Sequence, residues 1–227
     1  MSQADFSPEE REAVYRAIEA RRDVRHFRPD PVPSDVLRRI LGAAHHAPSV
    51  GFMQPWSFIL VASEDVRRRV RDTFEQQNRG QLQQIAAPER KELYRTLKLE
   101  GILEAPLNVA VTCDRRRDAP FVLGRGPWPE ADLFSTCLAV QNLWLAARAE
   151  GVGVGWVTIL DRQATAEVLS LPPGVELVAY LCVGYPVEFR PRPLLEEVGW
   201  KARLPLGPLV YSDRWGVPSP LFGEERA

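Results

Sequence analysis

The chain runs to 227 residues, 45% hydrophobic and 26% charged, the composition of an ordinary globular protein large enough to bury a substantial core. Its 29 basic and 30 acidic side chains leave a formal charge of −1, which excludes a bulk field for nucleic acid or an anionic membrane surface. The polar N-terminal stretch MSQADFSPEER has no signal-peptide core and no apolar run reaches membrane-spanning length, so a cytoplasmic protein is expected.

In chain order, Ser7 is placed to cap a first helix, with Pro8 at its first position and Glu10 completing a capping box. Val14 and Ile18 share one face of that helix, which should end near Arg21. A second helix is predicted from Ser34 to just before Pro48, with Val36, Leu37, Ile40, Leu41 and Ala44 at helical spacing. WSFILVA (56–62) reads as a strand and residues 64–78 as an exposed amphipathic helix. Residues 79–103 are polar, with a short helix in ERKELYRTLKLEGI. They sit between elements that could connect without them, so an inserted lid is expected.

LNVAVTC reads as the next strand. PEADLFSTCLAVQNLWLAARAEG predicts a long helix, apolar over much of its surface and so deeply buried, with Gly151 as its stop. VGVGWVTIL and VELVAYLCVGY are strands around a helix capped by Asp161. Seven of the 20 prolines fall between Pro186 and Pro220, which predicts an extended arm over 185–227. The whole, 1–227, reads as a single α+β domain with a central mixed sheet flanked by helices.

Several stretches carry candidate chemistry. RRDVRHF (21–27) sets Arg21, Arg22 and Arg25 where a helix gives way to extended chain, free to converge on a phosphate or simply to complement the helix dipole. Asp23, between arginines, should stay ionised and serve as a hydrogen-bond acceptor, a general base or a plain ion-pair partner. APSVGFMQPW (47–56) holds Ser49, Gln54 and Trp56 on backbone constrained by two prolines and a glycine. GVGVGW (151–156) follows a helix and precedes a strand, the reverse of a dinucleotide loop, so its glycines would let backbone N–H groups approach a flat ligand. Lys201 and Arg203 form a second basic pair.

Other residues read as structural. Thr158 falls in an apolar strand, where β propensity explains it. Asp114, Arg115, Arg116 and Arg117 read as a solvated loop cluster, and Cys113, Cys137 and Cys182 as small buried residues. His45 and His46 are neighbours that point apart, and no metal site is expected.

In this order, RRDVRHF, AAHHAPSVGFMQPW, the glycine strand after a long helix, and WKARLP resemble the FMN-dependent nitroreductase superfamily. HHAPSVGFMQPW, LKLEGILEAP, VTCDR and AVQNLWLAARAEGVGVGWV resemble its 5,6-dimethylbenzimidazole synthase branch, and the likeness runs roughly from Ser7 to Trp215. The resemblance implies a nitroreductase-like fold and a homodimer with FMN at the subunit interface. It implies that Arg21, Arg22 and Arg25 hold the phosphate and ribityl end, aided by Lys201 and Arg203, with Val24 among the flavin contacts. Ser49 would line the flavin from the partner subunit, Gln54 would reach a ring carbonyl, and Val154 and Gly155 would give backbone contacts near N5 and O4.

The same resemblance makes Asp23 and Thr158 the active-site pair, threonine standing where the branch carries serine. The implied reaction consumes reduced FMN and O₂, giving 5,6-dimethylbenzimidazole and erythrose 4-phosphate, with a separate flavin reductase supplying the reduced flavin. Asp23 would accept or relay a proton, Thr158 would orient an oxygen, and the 79–103 segment would close over the ring. The rival readings are an NAD(P)H-dependent nitro or quinone reductase that retains FMN, and a non-catalytic flavin-binding protein.

Overall fold

Ser7 starts the first helix as its side chain predicts: its hydroxyl accepts from the Glu10 N–H at 3.2 Å, and the Glu10 carboxylate accepts from the Ser7 N–H at 2.7 Å. The structure, a computed structural model, describes residues 5–222. Helix α1 runs Pro8–Ala20 and hands over to extended chain at Arg21 (φ −64°, ψ 134°). Helix α2, Ser34–His45, buries Ile40 and Ala44. Strand β1 (Trp56–Val61) leads to α3, Glu64–Gln84, which carries the predicted amphipathic helix on through the first part of the expected lid. Helix α4 is Pro88–Thr96 and buries nothing. Then come β2 (Leu107–Asp114), α5 (Ala131–Ala149), β3 (Gly153–Val157), α6 (Arg162–Val168) and β4 (Val175–Gly184). Asp161 caps α6 as predicted, accepting from the Ala164 N–H at 2.9 Å.

The four strands lie in the order β1-β2-β4-β3. Where a mixed sheet was expected, all three strand pairings are antiparallel, because β4 lies between β2 and β3 and runs against both. The parallel element is an isolated bridge from Asp23 to Val154. Alternation along the strands gives the sheet two apolar faces. The row Ile59–Ala110–Tyr180–Val157 packs on the side of Val70 and Phe74 from α3, while Val109, Leu181 and Trp156 face Ile40 and Ala44 of α2 and Val140 and Leu143 of α5.

Helix α5 is not covered all round. It buries Asp132, Ser135, Thr136, Ala139, Val140, Leu143, Trp144 and Ala147, but leaves Phe134 and Leu138 about half exposed, and Cys137 exposed beside them. Cys113 and Cys182 are buried as expected; Cys137 is not, because one chain covers only one side of its helix. On α1, Val14 and Ile18 are likewise exposed.

The described residues divide into two compact units between Pro191 and Arg192. The first keeps the start of the proline-rich stretch, through the Phe27–Pro186 bridge and a Val187 N–H to His26 carbonyl bond of 3.1 Å. The second unit, which carries the rest of that stretch, begins at Arg192. The second unit holds a one-turn helix, α7 (Leu194–Glu197), two short 3₁₀ turns and a bridge between Tyr211 and Pro218, with the Tyr211 and Trp215 rings 4.8 Å apart. Among the described residues no helix is long and apolar enough to cross a membrane, and no group of His, Cys, Asp and Glu could hold a metal ion.

Candidate active site

The arginine motif continues the sheet by one short bridge. The Val24 N–H donates to the Val154 carbonyl at 3.0 Å, and the Trp156 N–H donates to Asp23 Oδ1 at 2.9 Å. Arg25 closes the arrangement, its Nη2 donating to Asp23 Oδ2 and, at 2.8 Å, to the Trp156 carbonyl. The glycines of GVGVGW make this approach possible. A Cβ on Gly155 would fall far inside contact distance of the Val24 carbonyl oxygen, and one on Gly153 would lie 2.9 Å from Val24 Cγ2. The glycines thus admit the arginine motif, Gly155 its backbone and Gly153 the Val24 side chain. Asp23, Val24, Arg25, Val154 and Gly155 are brought together at the β3 edge.

Asp23 is electrostatically poised. Although 43% of its side chain is accessible, the crowded chain around it desolvates the carboxylate and pushes its pKa above the usual 3.8, against the pull of Arg25, the Trp156 N–H and Arg21. The arginines do different things. The Arg21 guanidinium stacks over the Trp144 ring at 4.7 Å. Arg22 turns back on its own chain, donating to the carbonyls of Glu19 (2.6 Å), Arg21 (2.7 Å) and Pro191. Arg22 Nε and Arg25 Nη1 are buried N–H donors with no hydrogen-bond partner. Two orphaned cationic donors within one motif fit a ligand that brings anionic or carbonyl oxygens.

Thr158 is the first residue past β3, not a member of it, and is exposed. It lies two residues beyond Trp156, whose N–H and carbonyl engage Asp23 and Arg25.

The decapeptide at 47–56 is a tight turn with left-handed backbone at Gly51 (φ 54°), Phe52 (φ 56°) and Gln54 (φ 49°). The two non-glycine residues each cost about 1–2 kcal/mol in that conformation, and the surroundings hold them there. Ser49 Oγ accepts from the Gln54 N–H at 3.0 Å, and Ser135 Oγ from the Val50 N–H at 3.0 Å. Trp56 Nε1 donates to His45 Nδ1 at 3.1 Å. The basic run after β2 takes part and is not a solvated cluster. Arg115 reaches the fully buried Asp132 (3.3 Å), Arg125 joins it (3.4 Å), and Arg117 donates to the carbonyls of Gln54 and Trp56 and to Ser57 Oγ. A carboxylate in the first turn of an otherwise apolar helix was the available sequence signal for this network. Beside the turn lies a recess of about 390 Å³, bounded by His45, Gln54, Phe58 and Arg117 among others.

The nitroreductase family model matches residues 18–185. The chain belongs to the nitroreductase family. It is 44% identical over 200 residues to the 5,6-dimethylbenzimidazole synthase of Rhodospirillum rubrum, covering 88% of this chain and 94% of that protein. A 5,6-dimethylbenzimidazole synthase of Rhodobacter capsulatus is 42% identical over 201 residues, covering 88% and 97%. An iodotyrosine deiodinase solved with FMN and 3-iodo-L-tyrosine matches with a TM-score of 0.66 at 25% identity, covering 79% of this chain and 92% of that one.

In this nitroreductase-family chain the two halves of the candidate site stand at opposite edges of the sheet. Trp56, which ends the decapeptide, opens edge strand β1; Val154, which receives the arginine motif, lies on edge strand β3. Three strand spacings, about 14 Å, separate those edges. Lys201 and Arg203 are exposed on the second unit.

Of the segment 79–103, expected as a lid, the last part packs into the core: Ile102 is fully buried, as is Ala105 just beyond the segment, and Asn108 Nδ2 donates to the Ile102 carbonyl at 3.0 Å. Gly101 packs so closely on the arginine motif that a Cβ there would lie 2.7 Å from the Phe27 ring and 2.9 Å from the Arg25 carbonyl oxygen. Glu104 Oε2 accepts from the Phe27 N–H at 3.1 Å, and Glu104 pairs with Lys98. Burial pushes the Glu104 carboxyl up, but Lys98, the Phe27 N–H and His26 together hold it below its usual value. The surface part of the segment is α4, tied to α3 by a 2.6 Å bond from Tyr94 Oη to Asn78 Oδ1.

Proposed function

We propose that the chain is an oxidoreductase that fragments reduced FMN with O₂ to 5,6-dimethylbenzimidazole and erythrose 4-phosphate, working as a cytoplasmic homodimer. The observation that carries this is the 44% identity to a 5,6-dimethylbenzimidazole synthase over 88% of the chain. Bound reduced FMN supplies both the electrons for O₂ and the carbon skeleton of the product.

The chain's own residues provide binding, orientation and a proton acceptor. Arg21 and Arg25, with the orphaned Nε of Arg22, suit the phosphate and ribityl end. Ser49 and Gln54, at the far edge of the sheet, serve the flavin of the partner copy. Half-exposed Phe134 and Leu138 on α5, and Val14 and Ile18 on α1, are apolar surface that such a partner would cover. Asp23 is anchored by the Trp156 N–H and Arg25 and carries a raised pKa, so it takes up a proton more readily than an ordinary aspartate, at a fixed position. Thr158, just beyond, offers a hydroxyl to orient an oxygen atom. The backbone of Val154 and Gly155 borders the same place. A separate flavin reductase supplies the reduced flavin.

The test supplies the protein with chemically reduced FMN and air in one arm, and with FMN and NAD(P)H in the other. Benzimidazole is expected whenever reduced flavin is supplied. Rapid NAD(P)H oxidation with all FMN recovered would contradict the reading in favour of a reductase that retains its flavin.

A further inference from the structure

The turn that carries Gln54 is clasped by a residue outside the flavin motifs. Gln54 sits at φ 49° and is followed by Pro55, so the linkage after it has no N–H to join a local ladder. Its own N–H is held by Ser49 Oγ at 3.0 Å. Its carbonyl is held by Arg117 Nη1, which also takes the Trp56 carbonyl at 3.0 Å, while Arg117 Nη2 donates to Ser57 Oγ at 3.1 Å. The carbonyl between them, Pro55, accepts from the Asp114 N–H at 2.8 Å. Three successive carbonyls are thus fixed from the end of β2 and the turn after it, and two depend on one guanidinium. No other side chain in the described residues reaches the Gln54 carbonyl, and a strained residue persists only where its surroundings over-determine it.

We propose that Arg117 is a positioning residue that locks the left-handed turn at Gln54 and so presents the Gln54 side chain to the flavin. This rests on the flavin reading above. Arg117 acts through Gln54: its Nη atoms are engaged by the turn, and its planar fork serves three acceptors at once, which the single ammonium of a lysine cannot copy. Ser49 secures one side of the Gln54 amide and Arg117 the other.

The experiment compares Arg117→Met and Arg117→Lys with the wild-type full chain in two readouts. The first, needing no flavin, is amide hydrogen exchange over residues 50–57. Expected is exchange about tenfold faster there in Arg117→Met, with partial rescue in Arg117→Lys and little change in β2 and β4. The second is affinity for oxidised FMN, expected to weaken about tenfold in Arg117→Met and about tenfold in Gln54→Ala. The double variant should lose little more than either single change, because the two act as one unit. Unchanged exchange over 50–57, or fully additive losses of affinity, would overturn the positioning role. Failure of the wild type to bind FMN would overturn the flavin reading itself, with the exchange data still deciding whether Arg117 secures the turn.

Discussion

Gly155 and Val24 meet so closely that the absent side chain of the one makes room for the carbonyl oxygen of the other. That contact lets Asp23 reach the Trp156 N–H and lets Arg25 bridge to the Trp156 carbonyl. The glycine strand and the arginine motif, 131 positions apart in the chain, form one structural unit at the β3 edge. Gly155→Ala is expected to destabilise the fold by about 2–3 kcal/mol through overpacking, and to abolish FMN binding. Gly42→Ala, in α2 where an added Cβ meets nothing within 4 Å, is the control; it should stabilise by about 1 kcal/mol. Urea unfolding of both variants checks the opposite signs.

Asp23→Asn should retain flavin binding, since its amide oxygen can still accept from the Trp156 N–H, and should lower product formation by about a hundredfold or more. Product formation in the wild type should fall on the acid side at a pH above 3.8, because the Asp23 pKa is raised and a carboxyl already protonated takes up no further proton. The stability sign is the reverse of that for a paired carboxylate. Ionised Asp23 costs stability above its folded pKa, and the cost fades as pH falls through it. Asp23→Asn is therefore expected to be the more stable protein at neutral pH and to lose that advantage in acid, as thermal melts across pH would show.

Glu104 behaves in the opposite way. Held low by Lys98 and the Phe27 N–H, it contributes stability above the ordinary glutamate range, and that contribution disappears as pH falls through its lowered pKa. Glu104→Gln should flatten the acid side of the stability profile while costing less than about 1 kcal/mol at neutral pH, since the pair is partly exposed.

If the Ser49–Gln54 wall serves the partner's flavin, breaking the pairing should weaken binding without touching either wall. Leu138→Glu, on the exposed face of α5, is expected to give monomers by sedimentation and to lose FMN affinity by roughly tenfold or more, the worth of a lost charged or hydrogen-bonded contact. A monomer that binds FMN as tightly as the wild type would contradict this.

Local signals in the sequence were faithful where the physics is local. The capping box at Ser7, the Asp161 cap, and the strands read at WSFILVA, LNVAVTC and VELVAYLCVGY all stand in the structure. The extension of α3 to Gln84 was hidden by a polar run with no apolar period and a glycine at 80. Other features depend on partners far along the chain, which no spacing rule reports. Gly155 needs Val24, Gly101 needs Phe27, and Arg117 needs Gln54. Cys137 and Leu138 looked like core because their helix is apolar, and periodicity alone does not say which apolar face a single chain leaves uncovered.

The central claim is that reduced FMN is consumed by this protein and not merely held. The most direct measurement is a single-turnover reaction of reduced FMN with air-saturated buffer and excess protein, followed by mass spectrometry of flavin, benzimidazole and sugar phosphate. The expected result is one 5,6-dimethylbenzimidazole and one erythrose 4-phosphate for each FMN lost. Full recovery of oxidised FMN with neither product, from protein that binds the flavin, would contradict the account.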